Sequence, residues 1–257
     1  MCHLKGKVAI ITGVSRRDGI GFGIAQHLAS LGVNLFLHSY TPYDKMMEVD
    51  LEPNELELIL EELGEYPVSV EQLEADFERD DSPGKLFGQA RKRFGAVDIL
   101  IINHTYDTLK TLDELDSEEI DRHLLVNVRT PLLLIQEFAQ HFDRSEGGRI
   151  IFLTSGGHLG PMPHPAYVAS KGALHHLTLS LSDILADKGI TVNAVNPGPT
   201  LTYQPDEEIN QAVLNRMPTG RWGTPDDAAR LISWLVSEEA DWVTGQVIDS
   251  EGGFRRG

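Results

Sequence analysis

The feature that most constrains this chain is a regular alternation between short apolar runs and longer segments with helical periodicity. The seven runs, rich in β-branched and aliphatic side chains, are residues 8–12, 34–37, 68–73, 99–102, 149–154, 191–195 and 247–249. Most are too continuously apolar for half-exposed strands, and each gap is long enough for a crossover helix. The pattern predicts an α/β, doubly wound sheet of about seven parallel strands with helices on both faces. Ligands bind such sheets beyond the carboxyl ends of the strands.

The composition is consistent with one domain over residues 1–257, because no Pro- or Ser-rich linker interrupts the chain. The net charge is −17, whereas a nucleic-acid-binding protein needs a basic face. Residues 48–81 hold fourteen acidic residues and one basic residue, Arg79. An apolar stripe through this segment predicts a solvated amphipathic helix. Nucleic acid is therefore not an expected partner.

Targeting and membrane segments are not evident in the sequence. No apolar run approaches the roughly 18 residues that cross a bilayer, and the first residues resemble a lead-in to a strand more than an export signal. The single cysteine, Cys2, has no partner for an internal disulfide. We therefore expect a cytoplasmic protein that does not bind membranes.

A glycine-rich segment follows the first predicted strand directly. Gly13, Gly19, Gly21 and Gly23 precede a helical pattern that continues to residue 31. Glycine permits a tight turn and close approach of a ligand, and a helix N-terminus carries partial positive charge that favours phosphate. The order of strand, glycine loop and helix predicts a Rossmann-type dinucleotide site.

The end of the second strand bears on which dinucleotide binds. A site that prefers NAD usually has an acidic residue there, which accepts hydrogen bonds from the ribose 2′-hydroxyl. Residues 38–41 are His-Ser-Tyr-Thr and contain no carboxylate, whereas Arg16 and Arg17 in the glycine loop could pair with a 2′-phosphate. This pattern favours NADP(H) over NAD(H).

Another constellation lies around Tyr167 and Lys171, which are four residues apart and share one face of a predicted helix. A nearby ammonium lowers the pKa of a phenol, which suits Tyr167 to proton exchange with a carbonyl oxygen. Ser155 follows the fifth strand, and Asn127 is a polar residue within a predicted long helix over residues 117–142. These four residues are the candidate catalytic set.

Together the motifs resemble the short-chain dehydrogenase/reductase family across essentially the whole chain, and within it the 3-oxoacyl-acyl carrier protein reductase branch. The matching residues are Thr12-Gly13, Gly19-Ile20-Gly21, Asp76, Asn103, Asn127, Ser155, Tyr167, Lys171, Asn196-Pro197-Gly198, Thr244-Gly245 and Gly252-Gly253.

The resemblance implies a role for each matched position. Tyr167 would be the general acid/base, and Lys171 would lower its pKa and hold the nicotinamide ribose. Ser155 would orient the substrate carbonyl, and Asn127 would hold a water that relays protons. The implied cofactor contacts are Gly13, Ser15, Arg16, Gly19, Ile20, Gly21, Ser39, Tyr40, Asp76, Phe77, Asn103, Pro197, Gly198, Thr200 and Thr202.

The glycine loop departs from the family pattern, with five residues between Gly13 and Gly19. This expansion resembles enoyl-acyl carrier protein reductases, which makes enoyl reduction a rival function. In those enzymes the tyrosine stands seven residues before the lysine, a position that His164 occupies here. Carbonyl reduction is therefore favoured.

Two further departures concern the walls of the expected site. Residues 102–105, Ile-Asn-His-Thr, replace the family's Asn-Asn-Ala-Gly, so we expect a less firmly held sheet and a bulky His104 near the nicotinamide. The loop over residues 156–166 is one residue shorter than usual, so we expect an altered substrate pocket.

The favoured function is reduction of a carbonyl to a secondary alcohol with NADPH, and the family branch suggests a 3-ketoacyl thioester. Alternatives are a sugar, a steroid, a small ketone or an enoyl thioester as substrate, or an NADP(H) sensor without catalysis. An acyl carrier would need a basic docking patch, for which the candidates are Arg129, Arg144, Arg149 and Arg221.

No metal-ligand spacing is recognisable among the histidines, so no metal is expected. Family members usually form tetramers through their long helices and the terminal segment. The resemblance therefore implies a homotetramer, with residues 131–142 and 247–254 as candidate surfaces.

Overall fold

The computed structural model describes residues 4–49 and 51–256. Cys2 lies outside the described residues. The strands of the sheet are β1 (Val8–Ile11), β2 (Asn34–Ser39), β3 (Val70–Glu74), β4 (Ile99–Ile102), β5 (Gly148–Leu153), β6 (Ile190–Asn196) and β7 (Val247–Asp249). They are parallel and lie in the order β3-β2-β1-β4-β5-β6-β7.

The helices are α1 (Ile20–Ser30), α2 (Thr41–Met46), α3 (Glu55–Gly64), α4 (Ser82–Phe94), α5 (Ser117–Leu124), α6 (Thr130–His141), α7 (Pro165–Ala186), α8 (Glu207–Leu214) and α9 (Pro225–Leu235). The acidic segment supplies α3, in which Ile59 and Leu63 are buried while the glutamates flank them. None of the helices in the described residues is long and apolar enough to cross a membrane.

Two apolar clusters cover the two faces of the sheet. One joins the sheet to α1, α3 and α9, and the other joins it to α4, α6 and α7. Every residue of β1, β4 and β5 is buried, because these central strands are covered on both sides. The doubly wound, seven-stranded fold predicted from the alternation of apolar runs is therefore confirmed.

The order of the strands reverses direction at β1, which pairs with β2 on one side and with β4 on the other. The connections after β1 and after β4 diverge from this point, and a crevice opens between them. This topology places the residues that follow β1, β4, β5 and β6 along one edge of the sheet.

The structure corrects the prediction of one long helix over residues 117–142. A π-helical segment, Leu125–Arg129, separates α5 from α6. The strand predictions are close: β2 extends to Ser39, and β3 begins at Val70 and not at residue 68. Apolar periodicity did not distinguish the π-helical segment, because this segment is only five residues long and lies between two helices.

Candidate active site

A cavity of about 910 Å³ runs along the carboxyl ends of the strands. Its size lies within the range of small-molecule and cofactor sites. At one end lies the glycine loop, and at the other lie Ser155 and α7. The sequence-predicted residues that line the cavity are Gly13, Ser15, Arg16, Gly19, Ile20, Tyr40, Asp76, Phe77, Asn103, Ser155, Tyr167, Lys171, Pro197, Gly198, Thr200 and Thr202.

The glycine loop folds tightly onto the end of β4. Gly13 has a φ of +74°, and a Cβ there would lie 2.8 Å from the Cα of His104. A Cβ on Gly21 would lie 2.5 Å from the carbonyl oxygen of Gly13, so Gly21 permits close packing although it does not line the cavity. Asn103 Nδ2 fixes this contact by donating to the carbonyl oxygens of Thr12 and Gly13, at 3.0 and 2.9 Å.

Helix α1 begins at Ile20 with Gly19 as its N-cap and no capping side chain. The N–H groups of its first turn therefore have no side-chain acceptor, and Gly19 and Ile20 line the cavity. Such an N-terminus attracts phosphate through its backbone donors and its dipole. Together with the close backbone approach at Gly13, this arrangement fits the pyrophosphate of a dinucleotide.

An aromatic stack forms the wall beyond β2. The rings of His38 and Phe77 lie 3.8 Å apart and nearly parallel. His38 Nε2 lies 2.8 Å from the carbonyl oxygen of Ala75, and Nδ1 accepts from the N–H of Gly13 at 3.2 Å. Burial lowers the pKa of His38 to about 4. The ring is therefore neutral at physiological pH and serves as a structural wall.

The structure changes the charge argument for the cofactor. Asp44 of α2 is buried and lines the cavity, and its Oδ1 lies 3.4 Å from Arg16 Nε. Arg16 also donates to the carbonyl oxygen of Thr202 at 3.0 Å. A carboxylate is thus present where residues 38–41 showed none. The residues at the end of β2 did not reveal this carboxylate, because α2 turns Asp44 back toward the glycine loop.

Two of the predicted contacts lie elsewhere. Arg17 pairs with Glu55 and Glu62 of α3, both at 3.1 Å, and does not line the cavity. Ser39 is fully buried, and its hydroxyl accepts from Gln72 Nε2 at 2.7 Å. Successive strand residues face opposite sides, so the neighbours of Ser39 reach the cavity while Ser39 does not.

Ser155, Tyr167 and Lys171 meet at the other end of the cavity. Helix α7 carries the tyrosine and the lysine, and Lys171 Nζ lies 5.8 Å from the centroid of the Tyr167 ring. The ammonium donates to the carbonyl oxygen of Leu153, the last residue of β5, at 2.9 Å. This bond anchors α7 to the strand that delivers Ser155.

Burial dominates the proton affinities of the pair, and the lowering of the Tyr167 pKa by Lys171 that the sequence predicts is not found. It raises the pKa of Tyr167 to about 12, with the negative charge of Asp107 adding to the effect and the Ser155 hydroxyl opposing it. Burial lowers the pKa of Lys171 to about 8, with Asp107 opposing. At neutral pH the phenol therefore holds its proton and the lysine is mostly charged. The site can deliver a proton to a buried oxygen.

Asn127 is buried in the π-helical segment and does not line the cavity. Its Oδ1 accepts from the N–H of Tyr106 at 2.7 Å, and its Nδ2 donates to the Tyr106 carbonyl oxygen at 2.8 Å and to Ser170 Oγ at 3.0 Å. The side chain thus clamps the loop after β4 to α7. Because both amide protons have protein acceptors, a water would have to bind elsewhere on this residue.

His104 lines the cavity, where the sequence suggested added bulk, and it is also a structural link. Its Nδ1 lies 2.7 Å from Thr12 Oγ1, and its Nε2 lies 3.0 Å from the carbonyl oxygen of Val126 in the π-helical segment. Burial lowers its pKa well below the usual range. The neutral ring therefore ties β1 to the π segment, which supplies a sheet contact where the family asparagine is missing.

Sequence reasoning missed the wall contributed by the segment after β7. Glu251 and Arg256 line the cavity, form an ion pair, and lie against the loop that follows Ser155. Glu251 follows the carboxyl end of a strand, which was a usable signal. Arg256 gave no signal, because only the return of the chain toward β5 brings it there.

The four arginines suggested as a docking patch are engaged within the chain. Arg144 pairs with Asp98 at 2.8 Å, Arg221 with Asp227 at 2.6 Å, and the buried Arg149 with Asp241. Arg129 donates to the carbonyl oxygen of Glu78 at 2.5 Å. They do not form a free basic surface. Over the described ranges, no group of three or more His, Cys, Asp or Glu side chains could hold a metal ion.

Comparison with known proteins agrees with this geometry. Residues 13–255 match the family model described as enoyl-(acyl carrier protein) reductase. The chain is 41% identical to the uncharacterized oxidoreductase YjdA of Bacillus subtilis (strain 168), over the full length of both proteins.

Solved structures show the same fold. A short-chain dehydrogenase/reductase from Serratia marcescens is 31% identical with a TM-score of 0.86, and the match covers 98% of each chain. A short-chain dehydrogenase from Burkholderia cenocepacia, solved in complex with NADP, is 30% identical with a TM-score of 0.86, over 97% of this chain and 98% of that one. With the glycine loop, the Tyr167 and Lys171 pair and the sheet in place, the chain belongs to the short-chain dehydrogenase/reductase family and is an oxidoreductase that binds a nicotinamide cofactor.

Proposed function

We propose that this oxidoreductase is an NADP(H)-dependent carbonyl reductase that converts a ketone to a secondary alcohol. The observation that carries the proposal is the meeting of Ser155, Tyr167 and Lys171 at one end of a dinucleotide-sized cavity. Ser155 orients the carbonyl, and Tyr167 donates the proton to its oxygen. Asn127 acts as a positioning residue, because its side chain fixes α7 against the loop after β4.

The protonation states support the reducing direction. With its pKa raised to about 12, Tyr167 is an acid at neutral pH. Lys171 is charged below its pKa of about 8 and stabilises the phenolate that remains after proton transfer. A bound reduced nicotinamide supplies the hydride. The chain itself contributes orientation, exclusion of water and the proton.

NADP(H) is the proposed cofactor. Arg16 lines the cavity beside Ser15 and Tyr40 at the end of β2, where a 2′-phosphate would lie, and the Burkholderia relative was solved with NADP. Asp44 partly neutralises the charge of Arg16, so the preference for NADP(H) over NAD(H) depends on this ion pair. The remaining predicted residues that line this part of the cavity hold the pyrophosphate, adenine and riboses.

Enoyl reduction is the second candidate, because the glycine loop is expanded and the matching family model carries that description. The geometry favours carbonyl reduction. His164, at the position of the enoyl-reductase tyrosine, pairs with Asp107 at 3.5 Å and does not line the cavity. Tyr167 does line it.

We further propose a small-molecule carbonyl substrate or a 3-ketoacyl thioester, and a homotetramer. The four arginines suggested as a docking patch are engaged within the chain, which favours a substrate that is not carried by a protein. Leu179 and Ile184 of α7 are each 67% exposed, which is consistent with a subunit interface on that helix. Light scattering of the purified protein measures the oligomeric state directly.

The first test is loss of NADPH absorbance with an acetoacetyl thioester and a panel of ketones, run beside NADH and a crotonyl thioester. We expect oxidation of NADPH by a carbonyl substrate. Tyr167→Phe should lower turnover by about 10²- to 10⁴-fold, as expected for loss of a general acid, while NADPH binding is retained. Binding of NADPH without oxidation by any ketone would instead indicate a sensor, and turnover of crotonyl thioester alone would indicate an enoyl reductase.

A further inference from the structure

The substrate end of the cavity is closed by the segment after β7. Glu251 is only 9% exposed, and its Oε1 accepts from Asn196 Nδ2 at 2.7 Å. Both terminal nitrogens of Arg256 donate to the two oxygens of Glu251. This bidentate pair fixes the plane of the guanidinium. Arg256 is therefore a pre-oriented donor group and not a mobile surface side chain.

Two glycines in the loop after Ser155 leave space for the side chain of Arg256. A Cβ on Gly156 would overlap Arg256 Nη2, and a Cβ on Gly160 would lie 2.8 Å from Arg256 Cδ. The charged group thus lies against the residue that follows Ser155. Arg256 therefore lies next to the segment that would hold the substrate carbonyl.

A second arginine lines the cavity near this wall. Arg216 follows α8, and its carbonyl oxygen accepts from the N–H of Arg255 at 3.0 Å, which joins the two segments. None of the ion pairs formed within residues 4–49 and 51–256 includes Arg216. Its charge is therefore available to a ligand.

Three cationic side chains, Lys171, Arg216 and Arg256, line the cavity, whereas the whole chain carries −17. Glu251 pairs with Arg256, and the negative charges of Asp249 and Asp107 act on Arg256 and Lys171. Glu251 accepts two of the five guanidinium N–H donors, and three stay free for another acceptor. Pro161, Met162 and Phe254 add an apolar surface for a carbon skeleton.

We propose that Arg256, assisted by Arg216, binds a carboxylate on the substrate, so that the reaction proposed above acts on a short oxo acid. This inference rests on the proposed carbonyl reductase function and specifies its substrate class. The carboxylate enters beside Glu251 and receives the free guanidinium donors, while Ser155 and Tyr167 hold the carbonyl. Arg256 is then a specificity-determining residue, because an uncharged ester with the same carbonyl loses the charged contact.

The test compares acids with their methyl esters at the same carbonyl: 3-oxobutanoate and 4-oxopentanoate, each against its ester, with NADPH. A hydrogen bond between charged groups contributes enough free energy for the wild-type enzyme to prefer the acids by about 10- to 100-fold in kcat/KM. Arg256→Gln should remove most of this preference by lowering kcat/KM for the acids far more than for the esters. Arg216→Gln should reduce it by a smaller factor.

Arg255→Gln is the matched control, because it removes the same charge from the same segment while its side chain is exposed and does not line the cavity. It should leave the preference for acids unchanged. Equal efficiency with acids and esters in the wild type would overturn the proposal, and so would an equal loss for both in Arg256→Gln. Thermal melting of each variant identifies a folding defect.

A binding experiment separates this inference from the reductase function. If no acid, ester, thioester or ketone of the panel oxidises NADPH, the reductase proposal fails. Calorimetric titration of NADPH-loaded Tyr167→Phe enzyme with 3-oxobutanoate and its methyl ester then decides the role of Arg256. Binding of the acid that Arg256→Gln abolishes supports the carboxylate site, and equal or absent binding of acid and ester contradicts it.

Discussion

An arginine paired with a carboxylate lines the cavity at each end, and the two pairs are built differently. Arg16 reaches Asp44 on a different element at 3.4 Å and also donates to Thr202 across the cavity mouth. Arg256 forms a bidentate pair with Glu251 of its own segment. The charge of Arg16 is shared among separate elements, whereas the orientation of Arg256 is fixed locally.

The difference matters because charge and geometry contribute separately to recognition. In the proposed NADP(H) complex, the backbone of the glycine loop and the N-terminus of α1 would bind the cofactor, and Arg16 would only adjust the preference for a 2′-phosphate. At the substrate end, no backbone cradle is present in the described structure, so side chains must provide the recognition. Mutations at the two ends should therefore have separable effects on cofactor binding and on substrate choice.

The largest effect on cofactor binding should come from breaking the backbone cradle at the adenosine end. A Cβ on Gly21 would lie 2.5 Å from the Gly13 carbonyl oxygen and 2.8 Å from Asn103 Nδ2. Overpacking of this kind costs about 1–3 kcal/mol. We expect Gly21→Ala to weaken NADPH binding by about 10- to 100-fold, measured by fluorescence titration.

Gly88→Ala is the control for that substitution. Gly88 also lies in a helix, α4, but nothing lies within 4 Å of its added Cβ. It should leave NADPH affinity unchanged and slightly raise the melting temperature, since alanine reduces the entropy of the unfolded chain. Wild-type affinity in Gly21→Ala would show that the loop can move aside, which would contradict a fixed cradle.

The pH dependence of kcat/KM tests the substrate end of the cavity. Lys171 can lose its charge as the pH rises, whereas an arginine cannot. Burial lowers the pKa of Lys171 to about 8, so the free enzyme has the charged lysine below that pH and loses it above. Because kcat/KM reports groups of the free enzyme, its value for NADPH in the reduction direction should fall as pH rises through about 8. A single ionisation gives about a 30-fold loss by about pH 9.5.

Lys171→Arg tests the assignment of that ionisation. The guanidinium stays charged over the whole range, so this variant should be less active but should lack the decline near pH 8. If the decline persists unchanged in Lys171→Arg, another group is responsible for it.

The smallest effect should come from the Arg16 pair. Asp44→Asn removes a negative charge 3.4 Å from Arg16, which leaves more positive potential for a 2′-phosphate. At the effective dielectric of a protein surface, we expect the ratio of NADPH to NADH efficiency to rise by about tenfold. Steady-state kinetics with both cofactors measures the ratio.

Asp18→Asn provides the comparison, because Asp18 lies 3.7 Å from the same arginine but its side chain is 56% exposed. Solvent screening should limit its effect to about twofold. If both variants change the ratio of NADPH to NADH efficiency equally, the burial of Asp44 does not determine the preference for NADPH.

The fold and much of the geometry of the glycine loop were predictable because their signals are local in the sequence. Strand β4 was located to the residue, and the step of four between Tyr167 and Lys171 placed both on one face of α7. Helix periodicity gave no warning of the π-helical segment around Asn127. Nor could it show that the side chain of Ser39 turns away from the cavity.

The ion-pair partners of the arginines in the glycine loop were harder to predict. The end of the second strand gives no sign of Asp44, which pairs with Arg16, and the predicted pairing of Arg17 with a 2′-phosphate is wrong, because Arg17 pairs with α3. Both errors have one cause: a long side chain can select a partner from any nearby element, and the sequence does not say which element is near.

The sequence by itself determined the architecture, the glycine loop and the placement of Tyr167 and Lys171 on one helix face, because apolar periodicity and short spacings act over a few residues. Only the tertiary structure decided which carboxylate neutralises which arginine, how His104 ties β1 to the π segment, and that Arg256 returns to the loop after Ser155. Those contacts depend on crossovers that bring distant segments to one edge of the sheet. Electrostatic and hydrogen-bonding interactions depend on distance in space, and separation along the chain does not give that distance.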